Sequence, residues 1–200
     1  MREYTIIRKP KSGDWNQVPE LAIDTALWGT DADIRAWAQL CWDDGAIHVR
    51  LRAQEREIRA EHARDSLLGM PCEDSCLEFF FCPIPGDERY FNIEFNPNGC
   101  LYLGFGRSLA NHVRLLPGQP CFETTPARIP DGWEIVYRIP HAFVRDFFPD
   151  YAPKAGDEIR ANCYKCGDLT AREHYYSWNP CTSDTPAFHR PHDFGRMRFG

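Results

Sequence analysis

Two short runs carry the polar side chains best placed to do chemistry. In Tyr90-Phe91-Asn92-Ile93-Glu94-Phe95-Asn96 polar and apolar residues alternate, so Asn92, Glu94 and Asn96 share one face of a strand. Phe91, Ile93 and Phe95 take the other. Residues 77–82 precede this run across Pro83-Ile84-Pro85-Gly86-Asp87, a strong turn signal, and bring Glu78 beside the same polar face. A row of amide and carboxylate groups suits a polyhydroxylated ligand, whose hydroxyls need fixed donors and acceptors. Paired carboxylates are also what glycoside hydrolysis uses, so Glu78 and Glu94 support an enzyme as the alternative. The plainest reading is a solvated sheet face.

Aromatic and cationic residues sharpen the first of these readings. Sugar rings expose apolar C–H faces that pack on tryptophan and tyrosine. Trp178 lies in Tyr175-Tyr176-Ser177-Trp178-Asn179-Pro180, which proline bounds as a loop rather than a central strand. We expect Trp178 to be exposed at a rim, within about 10 Å of the Glu78 and Glu94 face, as one ligand's reach requires. Lys165 and Arg190 can donate several hydrogen bonds to vicinal hydroxyls. Trp15, Trp28, Trp37, Trp42 and Trp133 read as core or edge residues. His189 and His192 flank Arg190-Pro191 and shape a loop or the site, while the seven histidines and three methionines offer no clear haem-ligating pair.

The nine cysteines are odd in number and irregular in spacing, which predicts reduced thiols in a cytoplasmic protein rather than a disulfide framework. Cys163-x-x-Cys166 and Cys72-x3-Cys76 could supply four thiolates to zinc. Positions three apart on a strand face opposite sides, however, so this set is not assigned to a metal. A redox dithiol opening a helix fits still less well.

These residues must be held by short elements. The 200 residues are 43% hydrophobic and 14% aromatic, which excludes disorder, and their 16 prolines and 14 glycines predict many turns. Strand patterns occupy 46–52, 77–82, 90–96, 100–105, 133–139 and 158–164, with a short last strand near 197–199. Residues 53–68 have weak helical character, and 141–148 suit one or two helical turns. The whole chain, 1–200, thus reads as one all-β domain, an antiparallel β-sandwich of jelly-roll type with one or two short helical segments. A net charge of -6 argues against a nucleic-acid partner. No apolar run approaches the ~20 residues of a membrane helix, and residues 1–7 lack the apolar core of a secretory signal.

Several motifs resemble carbohydrate-binding family 9. They are Glu73-Asp74-Ser75-Cys76-Leu77-Glu78-Phe79-Phe80-Phe81, Tyr90 to Asn96 with Gly99, Ala161-Asn162-Cys163-Tyr164-Lys165-Cys166-Gly167-Asp168, Tyr176-Ser177-Trp178-Asn179-Pro180, and Phe188-His189-Arg190-Pro191-His192-Asp193-Phe194-Gly195. The resemblance covers roughly residues 15–200 and implies a β-sandwich related to DOMON domains. It implies carbohydrate binding, often in support of glycan breakdown beside a glycoside hydrolase, with tryptophans gripping a sugar end. That role carries over by motif only to Trp178. The expected site is therefore Trp178, Glu78, Asn92, Glu94, Asn96, Lys165 and Arg190, in a binding protein rather than an enzyme. A non-sugar interaction module is the remaining alternative. The family also admits structural calcium, for which Asp24, Asp31, Asp33, Glu73 and Asp74 are candidate oxygen donors. They lack EF-hand spacing, and no ligand set or other cofactor is assigned.

Overall fold

Alternation in the sequence becomes strand wherever it is clean. The computed structural model describes residues 1–116 and 122–200, leaving Cys121 outside the described part. In chain order the strands are β1 (Glu3–Arg8), β2 (Leu21–Ile23), β3 (Thr25–Ala26), β4 (Arg35–Trp42), β5 (Ala46–Gln54), β6 (Cys76–Cys82) and β7 (Tyr90–Phe95). They continue with β8 (Leu101–Ser108), β9 (Asn111–Leu115), β10 (Thr125–Ile129) and β11 (Gly132–Pro140). After helix α1 (His141–Phe147) come β12 (Glu158–Gly167), β13 (His174–Ser177) and β14 (Gly195–Phe199).

One sheet runs β14-β12-β6-β7-β8-β9, with β13 and then β3 extending from the second half of β12. The other runs β10-β11-β5-β4, with β2 on β4. The neighbours within both are antiparallel. β1 is the exception: Glu3 to Ile6 pair in parallel with β14 and Ile7 and Arg8 in parallel with β4, so it joins the two sheets at one edge. Between the sheets lies one apolar core, built from Phe79, Phe81, Phe91, Ile93 and Phe95 on one side and Leu40, Trp42, Val49, Leu51 and Trp133 on the other. Each of these is at most 2% exposed.

Two expectations change. Residues 55–70 contain no helix. Side chains there replace helical hydrogen bonds: the buried Asp74 carboxylate accepts from the backbone N–H groups of Glu61 and His62, and Asn98 Nδ2 donates to the carbonyls of Ala60 and His62. Arg59 lies 3.4 Å from the same carboxylate. With these N–H and carbonyl groups committed to Asp74 and Asn98, an i to i−4 ladder through 60–62 loses its donors and acceptors. The second change concerns the polar face of β6 and β7. It does not meet bulk water, because both faces of both strands are buried. A second apolar cluster of Leu27, Phe80, Tyr90, Tyr164, Phe188 and Phe194 covers part of it. Among the described residues no helix is long and apolar enough to cross a membrane.

Candidate functional site

Strand register decides which side chains meet over the outer face of the β12-β6-β7-β8 sheet. Tyr164 pairs with Glu78, Glu78 with Glu94, and Glu94 with Tyr102, so these four form one row across four strands. Two residues along lies a second row, Tyr175, Cys166 and Cys76. Side chains on one face recur every second residue, so both rows point the same way. Loops wall this floor. A cleft of about 230 Å³ results, lined among others by Trp28, Glu78, Glu94, Tyr102, Tyr175 and Phe188, with Cys72, Asp168 and His189 beside them.

Trp28 forms the aromatic wall. Its ring lies 5.4 Å, centroid to centroid, from both Tyr175 and Phe188, and its Nε1 donates to Ser183 O at 2.7 Å. The residue has φ +50°, a left-handed conformation unusual for tryptophan. The turn that bends the chain after Leu27 therefore also aims the indole. Phe188 stacks on Tyr164 at 4.0 Å, and Arg190 fixes the loop that carries it: Nε donates to Asp193 Oδ2 at 2.8 Å and an amino group donates to Thr182 Oγ1. Tyr102 stands at the other end of the carboxylate row, stacked on His112 with the Arg114 guanidinium 4.5 Å from its ring centre.

The floor is acidic. His112 Nε2 donates to Asn92 Oδ1 at 2.6 Å, and Asn92 Nδ2 donates to Glu94 Oε1 at 2.7 Å, so a relay of neutral groups orients Glu94. Gly104 leaves the room for it, since a Cβ there would lie 2.1 Å from both Asn92 Oδ1 and His112 Nε2. Burial pushes Glu94 up to about 7. Burial and then the neighbouring Glu94 charge push Glu78 well above the carboxylate range, and burial also raises Asp168. His189 accepts the Tyr90 hydroxyl on Nδ1 at 2.7 Å and is held down to about 4, chiefly by burial and secondarily by His112.

Of the seven residues expected at the site, Glu78 and Glu94 line the cleft, Asn92 orients Glu94 and Arg190 holds the loop. The other three do not reach it. Trp178 is 4% exposed and packs in the inter-sheet core, so close to Gly195 that a Cβ there would lie 2.5 Å from the indole. Parity is the reason: Tyr176 and Trp178 face inward while Tyr175 faces the cleft. Lys165 is likewise on the inner face, where Nζ donates to Cys166 O and to His174 Nε2 and sits 3.3 Å from Glu55 Oε2. Asn96 staples the turn after β7, accepting from the N–H groups of Asn98 and Cys100 and donating to Asp74. Trp28, Tyr102, Tyr175 and Phe188 were the missing walls. Tyr175 and Phe188 lie within the quoted motifs without being singled out, and Trp28, read from sequence as a core or edge residue, instead lines the cleft.

The candidate calcium donors are dispersed. Asp24 pairs with Arg2, Asp31 with Arg172 and Glu73 with His62, while Asp74 is consumed by N–H donors. Asp33 lines two larger hollows, of about 560 and 360 Å³, at one end of the sandwich. Neither has a tryptophan, tyrosine or phenylalanine in its wall. Cys163 faces the inter-sheet core and Cys166 the cleft, so the four-thiolate set does not assemble. The eight described cysteines are unpaired.

Comparisons with known proteins agree with this architecture. A structure from Bacteroides uniformis ATCC 8492, described as a candidate carbohydrate-binding protein, superposes with a TM-score of 0.82 at 24% identity, covering 100% of this chain and 99% of that one. A family 9 carbohydrate-binding module from Caldicellulosiruptor kristjanssonii, solved with glucose, gives 0.71 at 14% identity, with 100% and 96% covered. A further structure of such a module from that organism, with cellotriose, gives 0.68 at 15% identity over 99% and 93%. No curated protein sequence matches. The profile of carbohydrate-binding family 9 matches residues 9–199, and the chain belongs to that family.

Proposed function

We propose that the cleft between Trp28 and Tyr102 is the carbohydrate site, taking one sugar ring against the aromatic wall with its hydroxyls on Glu78 and Glu94. The observation that carries this is the meeting, in one cleft, of an aromatic wall and a carboxylate floor with oriented acceptors. Apolar ring faces need the first and hydroxyl donors the second. The volume of about 230 Å³ is below the ~300–1,000 Å³ typical of drug-sized sites, which favours one ring at a time, as at a chain end. The complexes of family 9 modules with glucose and cellotriose support glucose and its short β-linked oligomers as the first ligands to try.

Calorimetric titration with glucose and cellotriose tests the reading. Binding is expected for the unmodified chain and loss of detectable binding for Trp28→Ala, on the scale of about 2 kcal/mol or more for a buried aromatic anchor. Undiminished affinity in Trp28→Ala would sink it. Service beside a glycoside hydrolase in glycan breakdown, and a reducing cytoplasmic setting, belong to the same proposal. Co-purification with a hydrolase and a thiol titration finding seven or more free groups under denaturing, non-reducing conditions would support them.

A further inference from the structure

Glu78 differs from the other buried carboxylates of the molecule in what it touches. Asp74 accepts two backbone N–H groups and Asn96. Glu55 accepts Trp133 Nε1 and Ser75 Oγ and faces Lys165. Asp193 accepts Thr182 and Arg190, and Glu94 accepts Asn92. Glu78, 2% exposed, has as its hydrogen-bond partners among the described residues only two thiols: Cys166 Sγ at 3.0 Å and Cys76 Sγ at 3.8 Å from Oε1. A thiol is a weak donor, so the pair compensates a buried carboxylate poorly.

The same three groups converge as ligands. Cys166 and Cys76 are directly opposed on neighbouring strands, and Glu78 follows Cys76 by two residues, so all three lie on the cleft face. One donor atom from each lies within 4.8 Å of the others. Among the described residues no other group of three such side chains does so. Zinc takes sulfur at about 2.3 Å and carboxylate oxygen at about 2.0–2.2 Å, so tetrahedral angles require sulfur–oxygen separations near 3.5 Å. The two observed separations, 3.0 and 3.8 Å, straddle that value.

We propose that this end of the cleft floor is a site for one thiophilic divalent cation of the zinc class, held by Cys76 Sγ, Cys166 Sγ and the Glu78 carboxylate. Three protein ligands leave a fourth position toward the cleft, where Cys72 and Asp168 also stand. On binding, the two thiol protons and the proton held by the buried Glu78 carboxyl pass to solvent; two sulfur–metal bonds and one oxygen–metal bond form in place of three bonds from the ion to water, and no electron is transferred. The proposal shares Glu78 with the sugar reading but stands on the two thiols, neither of which is needed to hold a ring against Trp28.

The test uses the full chain, reduced and stripped with a chelator, then titrated with Co²⁺ and back-titrated with Zn²⁺. Expected are one bound ion, the thiolate-to-cobalt charge-transfer absorption, and its loss as Zn²⁺ displaces cobalt. Cys76→Ser and Cys166→Ser should each weaken binding by more than about 100-fold, beyond an outer-shell effect. Cys41→Ser and Cys181→Ser should leave it unchanged. A second readout needs no variant: Zn²⁺ should protect Cys76 and Cys166 from alkylation in the unmodified chain, as mapped by mass spectrometry. Cobalt binding without the thiolate band, absence of protection, or a recovered Cys76–Cys166 disulfide in place of metal would overturn the site. Sugar affinity measured on the stripped chain reports separately on the cleft.

Discussion

Adjacent residues of β12 have opposite fates. Cys163 and Lys165 look between the sheets; Tyr164 and Cys166 look toward the cleft. The end of β13 repeats the contrast, with Tyr176 and Trp178 inward and Tyr175 outward. Burial does not separate the two faces, since Lys165 and Glu78 are both at most 2% exposed. The completeness of their partners does. On the inner face the three ammonium hydrogens of Lys165 face three acceptors: Cys166 O, His174 Nε2 and Glu55 Oε2. On the outer face Glu78 has only thiols, and Trp28 and Tyr102 stand partly open. A closed network stabilises and specifies the fold; an open one is left with capacity for a ligand.

This contrast can be broken most sharply at Trp178. Replacing it by alanine should cost about 3–5 kcal/mol of stability, the range for a large aromatic removed from a core, read as a lower denaturation midpoint. The fraction that remains folded in the cold should keep its sugar affinity. Loss of affinity without loss of stability would instead return Trp178 to the binding site.

Glu94→Gln tests the other face. It should weaken sugar binding by roughly 1–3 kcal/mol, the scale for a hydrogen bond to a charged group, with little change in thermal midpoint. Neither the unmodified chain nor this variant should turn over aryl glycosides. Turnover that vanishes in both Glu78→Gln and Glu94→Gln would replace the binding reading with the carboxylate-pair enzyme.

The smallest effect concerns pH. His189 is held down to about 4 against 6.5 in the unfolded chain. Between those values the unfolded chain binds a proton that the folded chain does not, so the His189 contribution to stability falls as pH drops from about 6.5 to about 4, against the opposite contribution of the raised carboxyls of Glu78, Glu94 and Asp168. His112 and His174 shift in the same direction, both chiefly through burial. His189→Gln should flatten this acid limb by on the order of 1 kcal/mol once its partial exposure is discounted. Chemical denaturation at pH 4.5 and 7 measures it; an unchanged slope would mean that His189 takes up its proton as readily in the folded chain as in the unfolded one.

Much of the sheet is legible in short runs. Period-two alternation marks 46–52, 77–82 and 90–96, and turn residues separate the last two, so the placing of Glu78 and Glu94 on one face of neighbouring strands follows from local pattern, while their direct opposition is set by the register. The helical character of 53–68 misleads because propensity is weak there and Asp74, distant in sequence from Glu61, captures the backbone donors. Trp178 misleads for a different reason. A proline-bounded segment can still be a strand end, and one residue of register moves an aromatic from a cleft to a core.

The amino-acid sequence by itself determined half of the strands (β5, β6, β7, β8, β11, β12 and β14), the family and the acidic row, because each depends on neighbours a few residues apart. Which tryptophan faces a ligand was decided only in three dimensions. Trp28 reaches Tyr175 and Phe188 across about 150 residues of chain, and its backbone turn aims the ring. Cys76 and Cys166 meet through the pairing of β6 with β12, which no sequence spacing encodes. Contacts of that span are set by sheet order and register, and their chemistry exists only once the chain has closed.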